Sequence, residues 1–470
     1  MPQMWNLLLP IIAAVPLLSV LPLTIASGKK AHYISTLSSI LVFGLVMLSA
    51  YGFYTYGPAS FSVGYIKSFG ITLGFQPSQI GTIMLIMTSI VFMAAAIASG
   101  AFVKSGEKRY NVIFAIAESA SLVVFLTSSL FLFYVGWEVA EVMMFFIIFI
   151  YGSYGRKHAG IKFIVYSLAS SLLLLVAILL LYLGTYPHTF SISAIEAGAV
   201  QIPMNIQEAA IFLFVLSFMI KMPAFPFHSW LPEAHTEAPT TGSMILAGVL
   251  LKFGGYGLLL MFLLLPASAA YAKYIALLFG FSAVYSAFAA LRQGNLKRAI
   301  AYTSITDMGI VGVGAAAVGI LGSEGASYMM LSHGIVISLM FLIAGTFKEA
   351  YGTLDIDKIK GAMGAFPFLS YLFIFGSLAL IGLPLTAGFV GDVILFIAAD
   401  ASFGLAGLVP LISLVFLGAM LFWFVERMLY SDRETNIAHG VDSRILAAAA
   451  TLVFFSIAFG IIPALLLRIP

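Results

Sequence analysis

The sequence contains no cysteine. That excludes disulfides, thiolate-ligated iron–sulfur clusters and zinc–cysteine sites within this chain. Charge is scarce too: 9% of the 470 residues are Asp, Glu, Lys or Arg, where a soluble globular chain carries roughly a quarter. Flavin, iron–sulfur and nucleotide-binding signatures are missing as well. No cofactor and no metal are therefore expected in the chain, and any redox chemistry must reside in partner proteins. No nucleic-acid partner is expected. The polar–apolar alternation of barrel strands is absent. The first apolar run, Trp5 to Ala26, has no basic segment before it and no small-residue cleavage site after it, so a retained helix is expected there, not a signal peptide.

What the chain does have is apolar residues, 62% of the total. Runs of about 20 recur from end to end, the length of helix that crosses ~30 Å of hydrocarbon. The expected fold is an all-α polytopic membrane protein, embedded in the lipid bilayer. Hydropathy places fourteen transmembrane spans at residues 5–26, 34–55, 79–102, 111–129, 130–151, 160–184, 209–229, 238–265, 271–291, 299–320, 325–347, 367–400, 405–430 and 444–467. Span twelve is too long for one straight helix and contains Gly382, Pro384 and Gly388; span seven carries Pro223 and Pro226. Both read as broken helices. Two broken helices suggest two structural repeats. The expected repeats are helices four to eight (residues 111–265) and nine to thirteen (271–430), within a single membrane domain, 1–470.

The basic residues test this count. The odd-numbered connections hold sixteen of the 22 Lys and Arg, and the even connections with the C-terminus hold three. This bias places the odd connections in the cytoplasm and both termini outside it, as in a multi-pass protein of the cell (plasma) membrane.

The remaining charges lie inside spans, where each costs on the order of 2.5–3.5 kcal/mol if unpartnered at mid-bilayer. The stretch from Lys221 to Lys252 concentrates them. It joins two apolar runs through three prolines and the segment His228-Ser-Trp-Leu-Pro-Glu-Ala-His235. Intramembrane charges beside broken helices mark ion or substrate paths. Glu138 and Glu141, three residues apart on span five, share a helix face. Lys221 and Lys162 are the candidate cations for them. A structural ion pair is the plainer role for these acids, and snorkelling to the interface is the plainer role for Lys162. Lys252 is too deep in span eight to snorkel. His333 and Asp392 extend a polar line from it, although a capping role for Asp392 at the break in span twelve is compatible with that. Glu118 and Asp307 are further buried charges, and Glu426 lies near the end of span thirteen. His228 and His235 lack helical metal-ligand spacing and read as the rim of a cytoplasmic entry.

Several motifs together resemble one family. They are Trp137-Glu138, Lys162-Phe-Ile-Val-Tyr166, Lys221-Met-Pro223, His228 through His235, Ala238-Pro-Thr-Thr-Gly-Ser243 and Leu251-Lys252. Ala301-Tyr-Thr-Ser304, Ser332-His333-Gly334 and Leu383-Pro-Leu-Thr-Ala-Gly388-Phe complete the set. From about residue 75 to 430 the chain resembles the antiporter-like subunits shared by respiratory complex I, membrane-bound hydrogenase and sulfane reductase complexes, and multisubunit Na+/H+ antiporters. The resemblance implies the fourteen-helix fold broken in helices seven and twelve. It also implies a proton path in which a Glu138–Lys221 pair controls a relay through Lys252 and His333 to Asp392. An acidic residue at that last position looks like the M-type subunit of complex I; antiporter relatives tend to have lysine there. The chain continues only briefly past span fourteen, unlike the L-type subunit with its long lateral helix. It departs from the family at Asp307, where histidine is common, and Glu118 and Glu141 match no family feature. Glu141, Lys162 and Asp307 are accordingly secondary candidates. The implied partners are other membrane subunits and, indirectly, peripheral redox subunits. The implied function is proton translocation in a redox-driven, complex I-like assembly, the alternative being a Na+/H+ antiporter driven by ion gradients. A membrane scaffold whose buried charges only specify helix packing is the reading from a different class.

Overall fold

The computed structural model describes residues 2–26, 28–66, 70–432 and 440–467. Lys67, Arg433 and Arg468, which entered the charge count, lie outside the described residues. Among the described residues, fourteen helices are long and apolar enough to cross a membrane. They follow the expected order, from Met4–Ile25 to Ser443–Ile461. Spans four and five, nearly continuous in hydropathy, are separate helices (Glu107–Leu126 and Leu130–Tyr151) joined by Thr127 and Ser129, both extended, with a bend at Ser128 between them.

Burial sorts the helices into shells. Spans three (Gln79–Phe102), eight (Thr240–Leu264), ten (Leu296–Ala316) and eleven (Ile320–Tyr351) are buried on nearly every side. Span eleven is the hub, packed against spans three, eight, ten, twelve and fourteen. Spans one, two, six and twelve to fourteen expose rows of Leu, Ile, Val and Phe, as lipid-facing helices do.

The expected breaks are present. The first half of span seven ends at Lys221, and the chain resumes at Phe227–Ser229 and Trp230–Glu237. Pro223 and Pro226 supply no backbone donors. Other groups fill the gap: Trp230 Nε1 donates to the Ile220 carbonyl at 3.1 Å, and the Phe225 amide donates to Ser282 Oγ at 2.9 Å. Span twelve breaks between Pro367–Leu380 and Ala387–Phe403. Gly382 (φ 80°) and Leu385 (φ 73°) take left-handed backbone there. For Leu385 that conformation is strained, by about 1 kcal/mol or more.

Two features were not anticipated. Span eight contains a π-helical turn, Leu246–Leu250, just before Lys252; such turns frequently mark functional sites. Phe61–Ile66 and Ile71–Phe75 form an antiparallel hairpin in the segment between spans two and three. Its first strand is exposed almost throughout, although Phe61, Val63 and Tyr65 alternate with Ser62 and Gly64. A lone hairpin is marginal; this one is anchored where the Gln76 amide meets the Leu126 carbonyl at 2.8 Å.

Candidate functional site

Two buried charge clusters occupy the interior. The first forms where span seven breaks. Lys221, the last residue of the upstream half-helix and 1% exposed, pairs with the Glu141 carboxylate. Its ammonium also lies 5.3 Å from the Trp137 ring centre and 5.5 Å from that of Phe253. The expected Glu138–Lys221 pair is not what the structure shows. Three residues on a helix differ by about 60° in direction and about 4.5 Å in height, and only Glu141 has the direction and height that meet Lys221. Glu138 is half-buried, and its Oε1 has no hydrogen-bond partner. Lys162 does not serve the glutamates of span five either. It pairs with Glu233 of the interrupted segment at 2.6 Å, in a partly exposed bridge that His158 joins at 3.5 Å.

The second cluster links spans eight, ten and eleven. Lys252 Nζ donates to the Ala247 carbonyl and to His333 Nδ1, both at 2.5 Å. The π-helical turn supplies that carbonyl. With Nδ1 accepting, the ring hydrogen sits on Nε2, which faces Asp307 Oδ2 at 3.7 Å. Asp307, a secondary candidate by sequence, is therefore the acid next to His333. Asp392, expected in that place, is buried beside Gly382, leaves Oδ1 unpartnered, and acts electrostatically on Asp307.

Glycine makes this contact possible. A Cβ on Gly334, beside His333, would lie 2.5 Å from Met87 Sδ and 2.8 Å from the Gly248 carbonyl oxygen. Both distances are below ordinary contact, and the second is to backbone, so spans eight and eleven would have to part. We expect Gly334→Ala to leave an assembled complex whose proton pumping falls at least tenfold, measured as substrate-driven ΔpH in proteoliposomes against electron-transfer rate. Wild-type pumping would show that the close approach is unnecessary.

Two residues missed as interior groups extend the line toward the basic side. Lys297, assigned to a connection, begins span ten and is 1% exposed. Its ammonium donates to the Ala238 carbonyl at 2.8 Å. His235, read as a rim residue, is fully buried and stacked on Phe341 at 4.3 Å, with neither ring nitrogen hydrogen-bonded. It lies within electrostatic reach of both Lys297 and Lys252. For Lys297 the sequence signal was its place just before the apolar run that starts at Ala299, with only Arg298 between; His235, followed by Thr-Glu-Ala-Pro-Thr-Thr-Gly-Ser, gave no such signal. His228 packs among Phe225, Tyr285 and Tyr302. Glu118 stands apart from both clusters, accepting from Ser39 Oγ at 2.8 Å. Among the described residues, no three His, Asp or Glu are placed to hold a metal.

Fold and site together define a polytopic helical membrane protein with broken helices beside buried charges. Residues 127–421 match the family described as NADH:quinone oxidoreductase/Mrp antiporter, transmembrane. NADH-quinone oxidoreductase subunit M of Rickettsia bellii is 33% identical over 475 residues, spanning 99% of this chain and 96% of that protein. The chain belongs to this family. Solved structures share the fold. A chain of respiratory complex I from Thermus thermophilus superposes with a TM-score of 0.90 at 23% identity, covering 98% of this chain and 97% of that one. A chain of an archaeal membrane-bound sulfane sulfur reductase gives 0.89 at 23% identity, covering 97% and 76%.

Proposed function

We propose that this chain is a proton-translocating, antiporter-like subunit of a redox-driven, complex I-like membrane assembly. The observation that carries the reading is the pair of buried clusters, Glu141–Lys221 and Lys252–His333–Asp307, at the break of span seven and the π-helical turn of span eight. Charges at such depth are expensive, and where they persist they mark ion pathways. In this reading protons enter from the basic side past Lys297 and His235. Lys221 holds its proton against Glu141 in one state, exchanges toward Glu138 in another, and hands it to Lys252. His333 and Asp307 carry it toward Asp392. Lys162 and Glu233 tether the interrupted segment. Other membrane subunits flank the chain, and redox subunits act on it indirectly. The plasma membrane, with both termini outside the cytoplasm, fits the bias of basic residues. Breaks five spans apart, in helices seven and twelve, support two repeats within one domain.

Lys221→Ala is expected to abolish pumping while the complex assembles; pumping at full rate would defeat the relay. Mass spectrometry of the intact complex recovered through this chain distinguishes the drive. Redox subunits among the partners support an electron-driven pump. Their absence, with only small membrane subunits present, supports the gradient-driven Na+/H+ antiporter that the family also includes.

A further inference from the structure

A cavity of about 620 Å³ opens at the ends of spans two, three, four, eight, ten and eleven, on the face opposite the basic connections. Its walls include Ser78, Thr127, Ser128 and Ser323, with exposed Glu196 among its lining residues. Tyr256 lines it from span eight, one helical turn beyond Lys252, or about 6 Å along the axis. Behind the wall, adjacent to Ser323, lies Glu324. Its Oε1 accepts from Gln79 Nε2 at 3.2 Å, its Oε2 has no partner, and it is buried. The relay described above uses neither Glu324 nor Tyr256.

A run of aromatic rings leads from this cavity to Lys221. Phe125 meets Tyr256 and Phe253 at centroid distances of 5.3 and 5.5 Å. Phe253 meets Trp137 at 5.7 Å, and Phe133 touches both Trp137 (5.6 Å) and Tyr256 (6.1 Å). The inner side of this plug is the ring pair under the Lys221 ammonium. A cation over a ring face holds it in place, so the same lysine that pairs with Glu141 also braces the plug.

We propose that the cavity is a proton-release vestibule, and that the plug of Phe125, Phe133, Trp137 and Phe253 is a gate held shut while Lys221 sits on Glu141. This rests on the relay reading and adds an outlet to it. When Lys221 swings toward Lys252, the rings lose their cation and water enters. Lys252 then has two ways to discharge: along the line through His333 and Asp307, and outward, where the proton leaves the Lys252 ammonium, passes the Tyr256 hydroxyl through water, and is taken up by the Glu324 carboxylate, which releases it into the vestibule. With Lys221 back on Glu141, the closed rings block return.

The absence of native cysteine makes the test direct. The Ser323→Cys variant, in the assembled complex in right-side-out vesicles, is treated with a membrane-impermeant trimethylammonium methanethiosulfonate. Modification is read by mass spectrometry of this chain. The expected result is modification from the outer face and a fivefold or greater loss of pumping after it. Tyr256→Phe, which removes one hydroxyl and keeps the packing, is expected to slow pumping severalfold without reagent. A thiol at position 323 that stays unmodified, or a modified variant that pumps at full rate, overturns the vestibule. Lys221→Ala in the same vesicles separates the two ideas. If that variant pumps normally, the relay reading falls. If it is dead while modified Ser323→Cys pumps fully, only the outlet falls.

Discussion

Glu141→Gln is expected to lower both the stability of the assembled complex and its pumping, while Glu138→Gln slows pumping and leaves stability near wild type. The difference follows from which carboxylate faces Lys221. Removing one partner of a buried ion pair leaves an uncompensated charge, which costs about 3–5 kcal/mol. The Lys221 ammonium and Glu141 are each 1% exposed, so water cannot take over the lost role. An amide at 141 still offers an oxygen but no charge, and about 1.4 kcal/mol corresponds to each factor of ten. The paired state would therefore lose at least about a hundredfold in population. Glu138 holds no bond to Lys221 in this state, so its loss touches only the exchange step. Thermal inactivation of the purified complex and ΔpH formation, measured on the same preparations, give the two readouts. Equal destabilisation by both variants would mean that Lys221 divides itself between the two acids at rest.

Much of the architecture was legible because hydrocarbon imposes coarse rules. Span lengths, proline positions and the loop bias of Lys and Arg placed fourteen helices and both breaks correctly. The site was legible as a set of residues and less so as a set of pairs. Lys221, Lys252, His333 and Asp392 stood out as charges in apolar runs, but pairing depends on helix rotation and height, which the sequence does not state. Glu138 and Glu141 share a face at sequence resolution and differ by about 60° in space. Asp307 looked secondary because histidine is common there in the family, and its approach to His333 depends on how two separate spans pack. A boundary error of a few residues moved Lys297 out of span ten, whereas His235 lies on the short helix Trp230–Glu237 of the interrupted segment, whose burial the sequence does not state. The π-helical turn at Leu246–Leu250 left no propensity signal, because packing of Gly248 against Val91, Gly334 and Ser338 accompanies it.

Asp307→Asn should reduce pumping tenfold or more, a larger loss than Asp392→Asn. Asp307 and His333 are 1% and 0% exposed in their side chains and 3.7 Å apart, and neither Asp307 oxygen has a hydrogen-bond partner. Such a carboxylate balances the Lys252–His333 cation across one ring. Without its charge, a proton arriving on His333 has no counter-charge in a site from which water is excluded, and the ring no longer has an acid to pass it to. Asp392 takes no part in the Lys252–His333 hydrogen bond or the Asp307 approach, so neutralising it leaves that line in place and affects the step beyond. Asp307→Glu keeps the charge at a slightly different reach and should retain most pumping, which guards against reading a packing defect as a lost relay. The measurement is fluorescence quenching of a ΔpH dye in proteoliposomes, normalised to electron transfer, for all three variants. Full pumping by Asp307→Asn together with a dead Asp392→Asn would return the acid role to the half-helix of span twelve. It would also mean that the 3.7 Å approach of Asp307 to His333 serves packing alone.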